Sequence, residues 1–220
     1  MNGEFCGARA VVSNADARRT FLELVGREHV PASFSRELEQ MRPSASALAV
    51  FPRRGLRPRR GAHHDRRGRR GDLAVAIPSK VDDSLAPPQH ASLSLISLAP
   101  PSERWDRSAP GYTARKRAAG DALIARAEMV LPGLSSHIVY RQDATPATFA
   151  RYAWTTGGSI YGPAIGGWCP SAKSPIEGLV LAGAGVFPGA GIEAVVISGV
   201  VAADALLATS PAQVPVDAAA

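Results

Sequence analysis

Residues 178–199 read Gly-Leu-Val-Leu-Ala-Gly-Ala-Gly-Val-Phe-Pro-Gly-Ala-Gly-Ile-Glu-Ala-Val-Val-Ile-Ser-Gly, an apolar strand that runs through a glycine-rich turn into an apolar helix. Leu179 to Ala182 show no polar alternation, the pattern of a strand buried on both faces. From Ile192 to Leu207 the apolar residues take helical spacing. Between the two, Gly183, Gly185, Gly189 and Gly191 leave backbone N–H groups bare where a side chain would block a close-lying ligand. A turn of this kind aims those groups at an anion. The same spacing occurs in ordinary tight strand-to-helix connections, and it is not the GxGxxG fingerprint, so spacing alone leaves both readings open.

The segment resembles the C-terminal flavin-binding motif of the phytoene desaturase family of FAD-dependent oxidoreductases, which includes carotenoid desaturases and isomerases and retinol saturase-like proteins. Members read approximately "GLYLAGAGTHPGAGIPGVVLSG" here, and the agreement covers Gly178, Leu179, Leu181 to Gly185, Pro188 to Ile192 and Ser198-Gly199. Val186-Phe187 stands where Thr-His is usual, and Glu193-Ala194 where Pro-Gly is usual. The resemblance implies FAD as cofactor, held by Gly183, Ala184, Gly185, Pro188, Gly189, Gly191 and Ile192. It also implies an apolar polyene or isoprenoid substrate. It leaves desaturation, isomerisation and saturation open.

Other segments extend the resemblance in the same order. Val11-Val-Ser-Asn-Ala-Asp16 is similar to a strand-to-helix step late in the family's FAD domain, and Arg42-Pro-Ser-Ala-Ser46 to its "RxSxS" passage into the substrate domain. Ile77-Pro-Ser-Lys-Val-Asp-Asp-Ser-Leu-Ala-Pro87 resembles the "PSxxDPSLAPEG" turn, and Thr145-Pro146, Phe149 and Gly157 to Gly162 the approach to the flavin-binding end. The implied fold is α/β with mixed sheets, the C-terminal part of a two-domain, amine-oxidase-like flavoprotein. Its divisions are a late FAD-domain strand and helices over 1–44, a substrate-domain sheet and helix over 45–152, a C-terminal FAD-binding strand-turn-helix over 153–208, and a flexible tail over 209–220. No GxGxxG unit precedes Val11. The N-terminal FAD-binding half is therefore expected as a partner of this portion.

Residues 52–70 break the pattern. They hold nine arginines against one acid, Asp65, enough to exceed the whole chain's net charge of +6. Clustered arginines can neutralise phosphates of nucleic acid or an anionic membrane, but no aromatic residue interrupts the run to stack a base, and nucleic acid is not the expected partner. Like charges with Pro and Gly also suit a solvated, disordered insert. A frameshifted segment fits best, because the family pattern resumes in step at Asp72. His63-His64 lies in this run without the Cys or further His of a metal site, and no metal is expected.

Cys6 and Cys169 lack CxxC or metal-ligand spacing and read as free thiols of a reducing compartment. Met1 to Ala10 lacks an apolar signal core. The Ile192 helix contains Asp204 and is slightly short for a membrane span of about 20 residues, so it reads as a buried core helix. The expected location is cytoplasmic, with peripheral membrane contact left open. Elements are predicted as strands at Arg9–Ser13, Ala45–Phe51, Leu73–Ile77, Ala91–Leu98 and His137–Gln142, and as helices at 16–26, 33–41 and 110–130. Ile138 and Tyr140 should share one strand face.

For catalysis the sequence offers Glu193 as the nearest acid to the turn, and an acid in a first helical turn equally serves to complement the helix dipole. Tyr152, Trp154, Tyr161 and Trp168 precede the flavin motif. They either wall a tunnel for a long apolar substrate or pack in the core. Two functions remain: an FAD-dependent oxidoreductase of the carotenoid or retinoid type, or a noncatalytic remnant or binding module.

Overall fold

The computed structural model describes residues 7–55, 73–101 and 105–209. Cys6, His63-His64, most of the arginine-rich run and the tail beyond Thr209 lie outside them. In chain order the elements are β1 (Val11–Ser13), α1 (Ala17–Arg19), α2 (Ala32–Gln40), β2 (Ser46–Gly55), β3 (Leu73–Ala76), β4 (His90–Ser92), β5 (Ser94–Ala99), α3 (Tyr112–Glu128), β6 (Ile138–Ala144), α4 (Pro146–Tyr152), β7 (Leu179–Leu181) and α5 (Ile192–Thr209). They fall into two compact units, Met1–Ser44 with Tyr161–Ala220, and Ala45–Ile160.

The split unit is built on two parallel strands. β1 and β7 pair Val11 with Leu179, Val12 with Val180 and Ser13 with Leu181, as the order of family segments implies. All three β7 residues are buried, which explains the absence of polar alternation. Leu179 and Leu181 face a cluster with Ala17, Phe21, Val30, Leu38 and Val186. Val180 packs with Ala172, Ala202 and Ala205 of the opposite layer. Asp16 caps α1 by accepting from the Arg18 N–H (2.9 Å) and the Arg19 N–H (3.4 Å). After Arg19 the helix widens to a π-type spiral over Thr20–Gly26 and stops at Gly26.

α5 departs from the sequence expectation. It buries only a narrow face, with Ser198, Ala202 and Ala205 at its centre, while Ile192 is 81% and Val200 57% exposed, and Val196 and Leu207 are also exposed. Its apolar periodicity marks two faces to be covered, and the described residues cover one. Among them no helix is long and apolar enough to cross a membrane.

The second unit is an antiparallel five-stranded sheet. β5 lies between β3 and β2, β4 pairs the same edge of β2, and β6 pairs its other edge. β4 and β5 keep one register against β2, from Ala99 opposite Ser46 to His90 opposite Gly55. They are one strand, as the sequence indicated, interrupted at Leu93 because its partner is Pro52. The Leu93 N–H bonds the Pro52 carbonyl (3.1 Å), and proline has no N–H to return the bond. β2 thus runs four residues past the predicted Phe51, and the first residues of the arginine-rich run, Pro52 to Gly55, are strand.

α3 lies on one face of this sheet, with Leu123, Ile124 and Ala127 against Val50, Leu93 and Leu95. Gly120 sits mid-helix because a Cβ there would lie 2.4 Å from Asp143 Oδ1. That carboxylate and Arg141 fill the space: Arg141 donates to Asp121 (2.5 Å), to Asp143 (3.0 Å) and to the Arg117 carbonyl (3.1 Å). β6 has a bulge, since Arg53 faces Tyr140 while Arg54 faces Ile138. The extra residue, Val139, reverses the alternation, so Ile138 packs against the core and Tyr140 is exposed. This corrects the expectation that the two share a face. His137 lies before the strand in a 3-10 turn, its Nδ1 2.6 Å from the Gly133 carbonyl oxygen.

Candidate functional site

The site forms where the split unit's two strands end. The carboxyl ends of neighbouring parallel strands are where open α/β sheets bind ligands. The Ala182 N–H donates to the Ser13 carbonyl (3.0 Å), carrying the pairing to the lip of the turn. Gly183 follows with φ of +95°, and a Cβ there would meet Asn14 Oδ1 at 1.9 Å. The Gly183 N–H donates to Ser198 Oγ (2.8 Å), which in turn donates to the Val195 carbonyl (2.7 Å). Asn14 and Ser198 thus shape the turn from both sides. Neither is in the set of binding residues that the resemblance implies. The available signals were the likeness of Val11–Asp16 to the family's strand-to-helix step for Asn14 and the Ser198-Gly199 match to the family motif for the other.

Beyond Gly183 the chain passes Ala184 and Gly185, then a cis Phe187–Pro188 bond, Gly189 (φ +115°) and Gly191 (φ +119°) before Ile192 opens α5. The space beside Gly189 is open, with no atom within 4 Å of where a Cβ would stand. Val195 is the first helical N–H to reach a carbonyl, that of Gly191 (2.9 Å). The N–H groups of Ile192, Glu193 and Ala194 precede it and have no carbonyl inside the helix. Although the Gly183 and Phe187 N–H groups are taken by Ser198 Oγ and the Pro170 carbonyl, the geometry offers a bare-backbone cradle ending at the positive pole of an 18-residue helix, suited to a negative or electron-rich group. All seven residues implied by the resemblance lie along this one stretch.

Glu193 is exposed in the first turn of α5, where its charge complements the helix dipole. The aromatic candidates divide between the units: Tyr152 and Trp154 lie in the sheet unit, Tyr161 and Trp168 in the split unit. Tyr152 is 78% exposed. Trp154 holds a φ of +54°, a strained conformation for a bulky residue. Trp168 sets its ring edge-on to Phe34 (5.7 Å), which meets Phe21 in the same way (4.9 Å). Burial pushes the Cys169 thiol up from its ordinary pKa, keeping it protonated and a poor nucleophile. Among the described residues no group of His, Cys, Asp and Glu could hold a metal ion.

No family model matches the sequence. Prolycopene isomerase of Daucus carota is 30% identical over 220 residues, covering 92% of this chain and 36% of that enzyme. Hydroxyneurosporene desaturase of Rubrivivax gelatinosus is 45% identical over 69 residues, 29% of this chain and 13% of that protein. Among solved structures, an oxidoreductase from Methanosarcina mazei superposes with a TM-score of 0.62 at 17% identity, covering 92% of this chain and 44% of the other. The fold is therefore one that oxidoreductases use, a mixed α/β arrangement of parallel and antiparallel sheets. The chain belongs to the carotenoid desaturase family, phytoene desaturase-like, and carries its C-terminal portion. It spans about a third of the length of the prolycopene isomerases it matches.

Proposed function

We propose that this chain supplies the flavin-ring end of an FAD-dependent oxidoreductase that acts on an apolar isoprenoid of the carotenoid type. The observation that carries the reading is the cradle at the carboxyl ends of β1 and β7, where bare glycine backbone leads into the unpaired first-turn N–H groups of α5. Gly183, Ala184, Gly185, Pro188, Gly189, Gly191 and Ile192 would hold the cofactor. When bound, FAD supplies a two-electron acceptor and donor for carbon–hydrogen chemistry. The α5 terminus would stabilise negative charge on a group held in the cradle, by about 1 kcal/mol where the site is partly buried. Phe187 and Ile192 are exposed apolar side chains on the same turn, and they favour an apolar substrate there.

In this reading the split unit belongs to the FAD domain and the antiparallel sheet unit to the substrate domain. Tyr152, Trp154, Tyr161 and Trp168 are its candidate substrate contacts, and Glu193 its candidate acid. The partner is a polypeptide carrying the pyrophosphate-binding βαβ unit, on this chain or another. Two features support it: Val11 and Val12 of β1 are half exposed, and so is the outer face of α5, whereas parallel sheets are ordinarily covered on both faces.

The test joins the chain to the N-terminal half of a relative such as the carrot isomerase and records the visible spectrum of the purified protein. A yellow, flavin-bearing product is expected, together with little or no flavin on the 220-residue chain alone. Gly183→Val, which drives a branched side chain into Asn14, should abolish the colour. Stoichiometric flavin in that variant would refute the site. A folded but colourless joined protein would favour a noncatalytic module instead.

A further inference from the structure

A second concave site lies wholly within the sheet unit and shares only Tyr152 with the candidate substrate contacts named above. An open cavity of about 880 Å³ lies beside the edge strand β6, between the first turns of α3 and the end of α4. Its charged lining comes from Arg107, Lys116, Arg117 and Asp143. Two of these are already neutralised. Arg117 lies 3.9 Å from both Asp121 and Asp143, and Arg141 lies 2.5 Å from Asp121 and 3.0 Å from Asp143, so two cations meet two carboxylates. The nearby Asp106 is engaged by the Ser108 N–H (2.8 Å) and hydroxyl (2.7 Å). Arg107 and Lys116 are left facing the cavity with no carboxylate partner among the described residues. Thr113, Thr148 and Gln142 add neutral donors to the same wall, and the rings of Phe51 and Tyr152 form an exposed apolar rim.

We infer that this cavity binds a phosphate-bearing ligand, with the phosphate on Arg107 and Lys116 and a planar or apolar remainder against Phe51 and Tyr152. Two unpaired cations match the double negative charge of a phosphate ester, and guanidinium and ammonium donors with hydroxyls satisfy its oxygens. The shared chemistry fits either a free phosphate ester or the headgroup of a lipid.

The experiment uses the full chain at low ionic strength with three probes: inorganic pyrophosphate, ADP, and phosphatidylcholine vesicles with and without phosphatidic acid. Calorimetry should show saturable binding to at least one probe. Binding of pyrophosphate or ADP assigns a free ester, and binding of the phosphatidic acid vesicles alone assigns a headgroup. Arg107→Gln with Lys116→Gln should weaken binding about a hundredfold, roughly tenfold per cation removed. Arg36→Gln, on the exposed face of α2, should leave it unchanged. On the unaltered chain, added salt should weaken binding progressively, a measurement that does not depend on how any variant folds. No saturable binding to any probe, or affinity indifferent to both the double substitution and salt, overturns the inference.

Discussion

The two units solve burial differently. The antiparallel sheet unit closes its core from its own chain: Leu95 and Val50 are fully buried beneath α3. The split unit buries the inner side of each element, yet leaves β1 half exposed and an apolar stripe of α5 in the open. An antiparallel sheet can leave one face to water, whereas a parallel one is ordinarily covered on both. Contiguous exposed apolar surface marks a place of association. The contrast places a contiguous uncovered apolar surface on β1 and α5 of the split unit.

The largest effect should come from the sheet core. Leu95→Ala should lower stability by about 2–5 kcal/mol through lost burial and a cavity, read as the midpoint of urea unfolding. A cost below about 1 kcal/mol would mean that the sheet unit is not close-packed, and the contrast would fail. On α5, Val196→Ser with Val200→Ser should change stability by about 0.5 kcal/mol or less in the same urea measurement, because both side chains are exposed. If the pair costs as much as Leu95→Ala, the stripe is buried and the two units are alike.

Much of this contrast was legible in the residues, but not all of it. The unbroken apolar run of β7, the glycines after it and the spacing of Leu123, Ile124 and Ala127 each determine a local conformation, so β7, the turn and α3 could be read directly. The expected strand stopped at Phe51, one residue before Pro52, which removes a ladder bond. In fact only the N–H that residue 52 would have donated is missing; the Pro52 carbonyl still accepts from the Leu93 N–H, and pairing resumes at Arg53 opposite Ser92. The Val139 bulge and the Asn14 contact with the turn depend on partners far along the chain, which one sequence does not name. The periodicity of α5 recorded how much surface needs cover, without recording what covers it.

The smallest effect concerns pH. The Ser135 and Gly133 N–H groups donate to the Glu128 carboxylate, closing the turn after α3, and these bonds hold its pKa below the ordinary glutamate range. A carboxyl lowered on folding adds stability above its unfolded value, about 4.3, and that increment disappears as pH falls through the folded value. Glu128→Gln should therefore flatten the acid side of the melting-temperature profile slightly and leave the neutral side nearly parallel to that of the unaltered protein. Identical acid slopes would show that Glu128 contributes nothing to this turn.

The Ser198 hydroxyl, which accepts from Gly183 and donates to Val195, sets the size of the smallest piece that could be transplanted. A designer who grafts residues 183–191 onto another scaffold would carry over the glycines but not the shape, because one wall of the turn belongs to the second turn of α5 and the other to Asn14, some 170 residues earlier in the chain. The portable cassette is therefore discontinuous, two crossings lifted together. Inheritance faces the same constraint: a change at 198 or at 14 alters the turn without touching any glycine in it.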